Sequence, residues 1–113
     1  MSNNVVYLSG PISGRPEGNR PAFDRAAENL RAAGYQVVNP HEVFTEEPPA
    51  DHADLAEYWV RAMRADLVAM MRCTHICRLP EWEHSRGATI ESRLAADLRF
   101  GVVRLDGNLE PVR

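Results

Sequence analysis

Short apolar runs alternate along the chain with longer stretches in which apolar residues recur every three or four positions. Val5-Val6-Tyr7-Leu8 is a β-prone run, followed by a Gly- and Pro-rich loop over residues 9–18. Pro21 suits the first turn of a helix. Phe23, Ala26, Ala27, Leu30 and Ala33 follow at helical spacing, and Gly34 stands where a C-terminal cap belongs. Residues 35–38 read as a second strand, stopped by Asn39-Pro40, and residues 41–53, with Glu46-Glu47-Pro48-Pro49, read as a long loop. Loops of that length in a small domain commonly serve as lids or subunit contacts. A second helix is predicted over about 54–72, with Leu55, Trp59, Met63, Leu67 and Met70 as its apolar stripe. Residues 74–79 read as a third strand, 80–86 as a loop, about 87–100 as a third helix, and Val102-Val103-Arg104-Leu105 as a fourth strand before a polar tail.

The order β-α-β-α-β-α-β predicts one α/β domain over residues 1–113. The expected fold is a three-layer, Rossmann/flavodoxin-like arrangement with a mostly parallel sheet of about four to five strands and helices on both faces. In such sheets a ligand sits beyond the carboxyl ends of the strands. That rule gathers the loop 9–18, Asn39 and the loop 80–86 around one crevice.

Two acidic residues interrupt apolar helix faces. At about 100° per residue, Asp66 falls within about 20° of Trp59 in the middle of the second helix's stripe, with Arg61, Arg64 and Arg72 on the opposite side. On the third helix Glu91 falls within the arc that runs from Ile90 through Leu94 and Leu98 to Ala95 and Ala88. Burying a carboxylate costs several kcal/mol unless it is paired or neutralised. Two on successive helices near one crevice point either to structural ion pairs or to a catalytic pair, a desolvated acid beside a carboxylate nucleophile, as glycosidic-bond chemistry uses.

Gly10, Gly14 and Gly18 follow a strand and precede a helix, but their G-x-x-x-G-x-x-x-G spacing is not the dinucleotide fingerprint. No acidic residue ends the second strand to grip a ribose, and no Gly-Lys-Ser/Thr makes a Walker loop. The loop is either a plain turn or a small-residue cradle whose N–H groups approach an anion. Arg15 is either a partner for a phosphate or a solvated surface charge. Ser85 is a candidate N-cap of the third helix, whose free N–H groups make a natural anion pocket. Trp82, which shares its loop with His84, either stacks on a base or anchors the loop by packing.

Composition narrows the partners. The 113 residues are 44% apolar and 26% charged, the balance of an ordinary folded chain, and the net charge of −3 speaks against a nucleic-acid polymer as ligand. No apolar run approaches the about 20 residues that span a bilayer, and the N-terminus lacks the basic flank and long apolar stretch of a signal peptide, so no membrane partner and a cytoplasmic location are expected. Cys73 and Cys77 flank His75, yet no second Cys/His pair completes the roughly four ligands of a zinc site. No metal is expected, and both thiols are expected to be reduced and packed.

The combination of Tyr7-Leu8-Ser9-Gly10-Pro11-Ile12-Ser13-Gly14, Phe23, Gly34-Tyr35, Asn39-Pro40, Met63-Arg64-Ala65-Asp66 and Ser85-Arg86-Gly87-Ala88-Thr89-Ile90-Glu91 resembles the nucleoside 2-deoxyribosyltransferase-like superfamily, in its branch of small phage and bacterial proteins. The superfamily includes the 2′-deoxynucleoside 5′-monophosphate N-hydrolases. The resemblance implies Glu91 as nucleophile at C1′, Asp66 as general acid on the departing base, and Tyr7 as the residue that positions Glu91. It implies that Ser9, Gly10, Ile12 and Gly14 line the sugar and base or meet a phosphate, and that Ser85 and Gly87 hold a 5′-phosphate. Asn39 and Trp82 complete the expected substrate-binding set. The resemblance further implies no organic cofactor and a homodimer or larger homo-oligomer in which a neighbouring subunit completes the site. The chain departs from the pattern at Pro80-Glu81-Trp82-Glu83-His84, a bulkier and more acidic run, and at Arg86, where a small or apolar residue is usual. Its short tail favours a 5′-monophosphate substrate and hydrolysis. Base exchange by a transferase is the alternative, and a non-catalytic nucleotide sensor is the alternative of another class.

Overall fold

The structure is a computed structural model that describes residues 4–112. Among these residues four strands, β1 (Val5–Ser9), β2 (Gln36–Val38), β3 (His75–Arg78) and β4 (Gly101–Val103), form one all-parallel sheet in the order β2-β1-β3-β4. The connections carry helices α1 (Arg20–Ala32), α2 (Pro40–Val43), α3 (Leu55–Met70) and α4 (Arg86–Asp97), with 3-10 turns at Pro16–Asn19, His52–Asp54 and Trp82–His84.

The alternation along β1 sets the layers. Val6 and Leu8 face one side, where Phe23, Ala26, Ala27 and Leu30 of α1 cover them; Tyr7 faces the other, against Met70, Cys73, Ile76 and Ala95 beneath α3 and α4. This is the expected three-layer fold. A single helix does not cover its whole face of the sheet, so Leu105 and Leu109 pack there too, and Asn29 Nδ2 donates to the Leu109 carbonyl at 2.9 Å. Leu105, expected to extend β4, instead leaves the parallel ladder for an antiparallel bridge with Pro111.

Two further expectations are corrected. The long loop at 41–53 is in part helical: Asn39 Oδ1 accepts from the His41 N–H at 3.1 Å and Pro40 takes the first position of α2, so the residues read as a strand stop are also a helix start. On α4, Ile90 and Leu98 are exposed, and the buried face is Ala88, Glu91, Ser92 and Ala95. Small side chains let this helix lie close to the sheet, which turns Ile90 and Leu98 outward, leaves Leu94 packed at the core's edge and places Glu91 well inside the packed face.

Helix α3 is longer than the sheet it covers. Its 16 residues span about 24 Å, against about 13 Å for the four residues of β3. Met70 at its far end lies in the core, while Leu55 in its first turn is 37% exposed. Its first turns overhang the carboxyl edge of the sheet and wall a cavity there.

Gly10 closes β1 under a tight steric limit. A Cβ at this position would meet Leu79 Cβ at 2.8 Å, and Leu79 is fully buried. Gly10→Ala is expected to lower unfolding free energy by about 1–3 kcal/mol, read as a reduced urea midpoint with an unchanged m-value.

Candidate active site

The cavity at the carboxyl edge encloses about 810 Å³. The loop after β1, the short helix α2, the overhang of α3 and the first turn of α4 form its walls, and Tyr7, Asp66 and Glu91 all line it. The two inward carboxyls expected from the helix faces therefore meet in one chamber.

Glu91 is 4% exposed and is held by both oxygens. Ser9 Oγ donates to its Oε1 at 2.6 Å, and Tyr7 Oη donates to its Oε2 at 2.8 Å. Ser9 and Tyr7 are two apart on β1, so their side chains share the sheet face beneath α4. Burial pushes the Glu91 carboxyl up to about 7, opposed by these two hydrogen bonds, which favour the charged form. Burial also raises the Tyr7 phenol well above its ordinary value, with the Glu91 and Asp66 charges acting in the same direction, so the phenol keeps its proton and remains a donor.

Asp66 is 6% exposed, and its Oδ1 has no hydrogen-bond partner. Burial, then the nearby Glu91 charge, pushes this carboxyl up to about 8. The two acids are thereby differentiated. Glu91, with two donors, ionises first; Asp66, with none on Oδ1, keeps its proton at neutral pH. An unpaired buried carboxyl is costly as a structural feature and well suited to giving a proton away.

The expected substrate-binding residues divide in two. Gly10, Ile12, Gly14, Ser85 and Gly87 line the cavity with the acids. Gly14 has φ +77 with open space around its Cβ position, a conformation that glycine adopts freely and that leaves the loop backbone bare to a ligand. Ser85 Oγ accepts from the Ala88 N–H at 3.2 Å and caps α4, and Ser85, Gly87 and Ala88 of that first turn line the chamber. Ser9 does not line the cavity; it acts on Glu91 from behind.

Asn39 and Trp82 do not line the cavity either. Asn39 is 1% exposed, and its Nδ2 donates to Asp24 Oδ1 at 3.0 Å while its Oδ1 caps α2, so both ends of the amide hold structure. Trp82 packs under the Arg78 guanidinium, 4.8 Å from the ring centroid, and Arg78 donates to Ser92 at 2.8 Å. Arg15 pairs with Glu81 at 2.7 Å and ties the first loop to the loop before α4 at the cavity rim.

Trp59, assigned by its spacing to the core, lines the cavity instead, as do Tyr58, Phe44 and His41. The signal for Trp59 was present, since it stands two helical turns before Asp66 on the same face of α3. His41 Nε2 lies 2.9 Å from the Gly18 carbonyl and braces a turn in which Glu17, Gly18 and Asn19 all have positive φ.

Cys73 and Cys77 are free and buried, and burial pushes their thiols up to about 11 and about 12, so both stay protonated. Among the described residues no group of three or more His, Cys, Asp or Glu is placed to hold a metal ion, and no helix is long and apolar enough to cross a membrane.

A family model described as "Domain of unknown function (DUF4406)" matches residues 4–104, a span that includes the sheet, every helix and the whole of the site. No curated protein matches the chain.

Proposed function

The chain belongs to the DUF4406 family, and from the chemistry of its cleft we propose that it cleaves the N-glycosidic bond of 2′-deoxynucleoside 5′-monophosphates. One observation carries this reading. A carboxylate clasped by two hydroxyls shares a chamber with a second carboxyl that is buried and unpartnered on one oxygen, and whose burial favours its protonated form. The resemblance of Tyr7, Asp66 and the Ser85-x-Gly87-x-x-x-Glu91 run to the nucleoside 2-deoxyribosyltransferase-like superfamily supports it.

In the first step a Glu91 oxygen attacks C1′ and forms an ester to the sugar. The C1′–N bond breaks, its electron pair goes to the base, and the base takes the Asp66 proton as it leaves. In the second step the Asp66 carboxylate takes a proton from water, the resulting hydroxide displaces Glu91 from C1′, and 2-deoxyribose 5-phosphate is released. Tyr7 and Ser9 hold the nucleophile in one rotamer throughout, with the geometric restriction that makes bound attack fast. The oxocarbenium-like transition state forms more readily on a sugar without an electron-withdrawing 2′-hydroxyl. The first turn of α4, with Ser85 and Gly87, suits the 5′-phosphate.

The test is release of free base and 2-deoxyribose 5-phosphate over a panel of nucleosides and their monophosphates. Release from deoxynucleotides in preference to ribonucleotides and to free nucleosides is expected. Exchange with an added free base at a rate matching hydrolysis would make the protein a transferase, and tight binding without release from any substrate would make it a sensor.

A further inference from the structure

We propose that Trp59, backed by Arg86, is the platform on which the departing base stacks. This rests on the nucleotide reading of the site and names a recognition residue within it.

The aromatic rings of the cavity leave one candidate. Tyr7 lies under the sheet face with its hydroxyl on Glu91. Phe23 is fully buried and meets the His41 ring edge to face at 5.0 Å. Phe44 and Tyr58 form a T-shaped pair at 5.5 Å, and the Tyr58 hydroxyl donates to the Glu46 carbonyl at 2.8 Å. Trp59 has no aromatic partner among the described residues; the Arg86 guanidinium lies 4.1 Å from its ring centroid and covers one face.

A guanidinium over one face of an indole holds the ring in place and leaves the opposite face for a second flat group. Trp59 stands seven residues before Asp66, about 10 Å along the helix axis, and Ala62 and Met63 between them also line the cavity. A base whose glycosidic nitrogen lies beside Asp66 therefore runs along this face of α3 towards the indole. Arg86 comes from the residue between Ser85 and Gly87, so the platform is braced by the same turn of α4 that faces the sugar-phosphate. A cation–indole–base stack at this place gives affinity for flat aromatic leaving groups of any kind, because every base has a π-face.

The chain has two tryptophans, which gives a direct readout. In Glu91→Gln protein, used to block turnover, Trp82→Phe leaves Trp59 as the sole reporter and Trp59→Phe leaves Trp82. Deoxynucleoside monophosphates are expected to quench the Trp59 reporter and to leave the Trp82 reporter unchanged, while 2-deoxyribose 5-phosphate quenches neither. In the otherwise native chain, Trp59→Ala is expected to raise KM by about tenfold with a smaller change in kcat, and Trp59→Tyr to restore most of it. Calorimetric binding of a nucleotide with Trp59 emission unchanged overturns the platform, as does equal quenching by the base-free sugar phosphate. Quenching without base release leaves the platform standing and removes the hydrolase reading alone. Absence of any nucleotide binding removes both.

Discussion

Glu91→Gln is expected to lower base release by about 10,000-fold or more while making the protein harder to unfold. A carboxamide has no charge with which to attack C1′, and removal of a covalent nucleophile leaves only what binding and orientation supply. The fold should tolerate the change. One hydroxyl, from Ser9 or Tyr7, still donates to the remaining oxygen, and the other rotates to accept from the new NH₂. Stability should rise because Glu91 is 4% exposed and its carboxyl is pushed from 4.5 to about 7. A group with a raised folded pKa contributes its stability fully below its unfolded value, and that contribution is lost as pH climbs through the folded one. At pH 8 the native chain carries this loss and the amide does not, so the variant's thermal midpoint should exceed the native one by a few degrees there and approach it near pH 4. A calorimetric scan at the two pH values, beside the base-release assay, measures both halves. An active Glu91→Gln would remove the proposed chemistry.

Asp66→Asn is expected to remove the alkaline limb of the pH–rate profile. The native kcat/KM should rise as Glu91 ionises through about 7 and fall as Asp66 loses its proton through about 8, a narrow bell. Asparagine cannot give a proton, so kcat/KM drops by about 100- to 10,000-fold and no longer falls above pH 8. Bases that depart readily without protonation should lose least. The same substitution has a stability signature. Asp66 is pushed from 3.8 to about 8, so the native chain loses stability progressively across that interval as pH rises. The variant, free of that titration, should be the more stable of the two at pH 8 by about 2 kcal/mol or more, which a urea melt at several pH values reads directly.

The chain's layers were legible because its punctuation and its periods agree. Gly34 and Asn39-Pro40 divide strands from helices, and Val5-Val6-Tyr7-Leu8 stands out without coordinates as a continuous apolar run, as suits a strand buried on both faces. The two acids were legible for a different reason, since a charge on an apolar stripe stands out whatever the surrounding fold. The exact face of α4 was harder. Weighting by large aliphatics favours Ile90 and Leu98, whereas close packing on a sheet favours Ala88, Ser92 and Ala95. The two tryptophans exchanged places for a related reason. Periodicity says that Trp59 belongs to a buried stripe, but only the length of α3 relative to the strands shows that its first turns have no sheet beneath them. Trp82, close in sequence to Ser85, is carried away from the chamber by its 3-10 turn and rests against Arg78.

That overhang separates two kinds of commitment along one helix. From Met63 onward, α3 carries the buried Met63, Asp66 and Met70, which serve the packed interior and the proposed acid, so a change there is expected to be felt by folding and chemistry together. From Leu55 to Ala62 the same helix answers mainly to whatever enters the chamber, and its anchors are peripheral contacts such as Arg61 with Glu46 and Trp59 with Arg86. Under the proposed reading, substitutions from Leu55 to Ala62 are expected to change what the chamber accepts at little structural cost, whereas those from Met63 onward are expected to change folding and chemistry together.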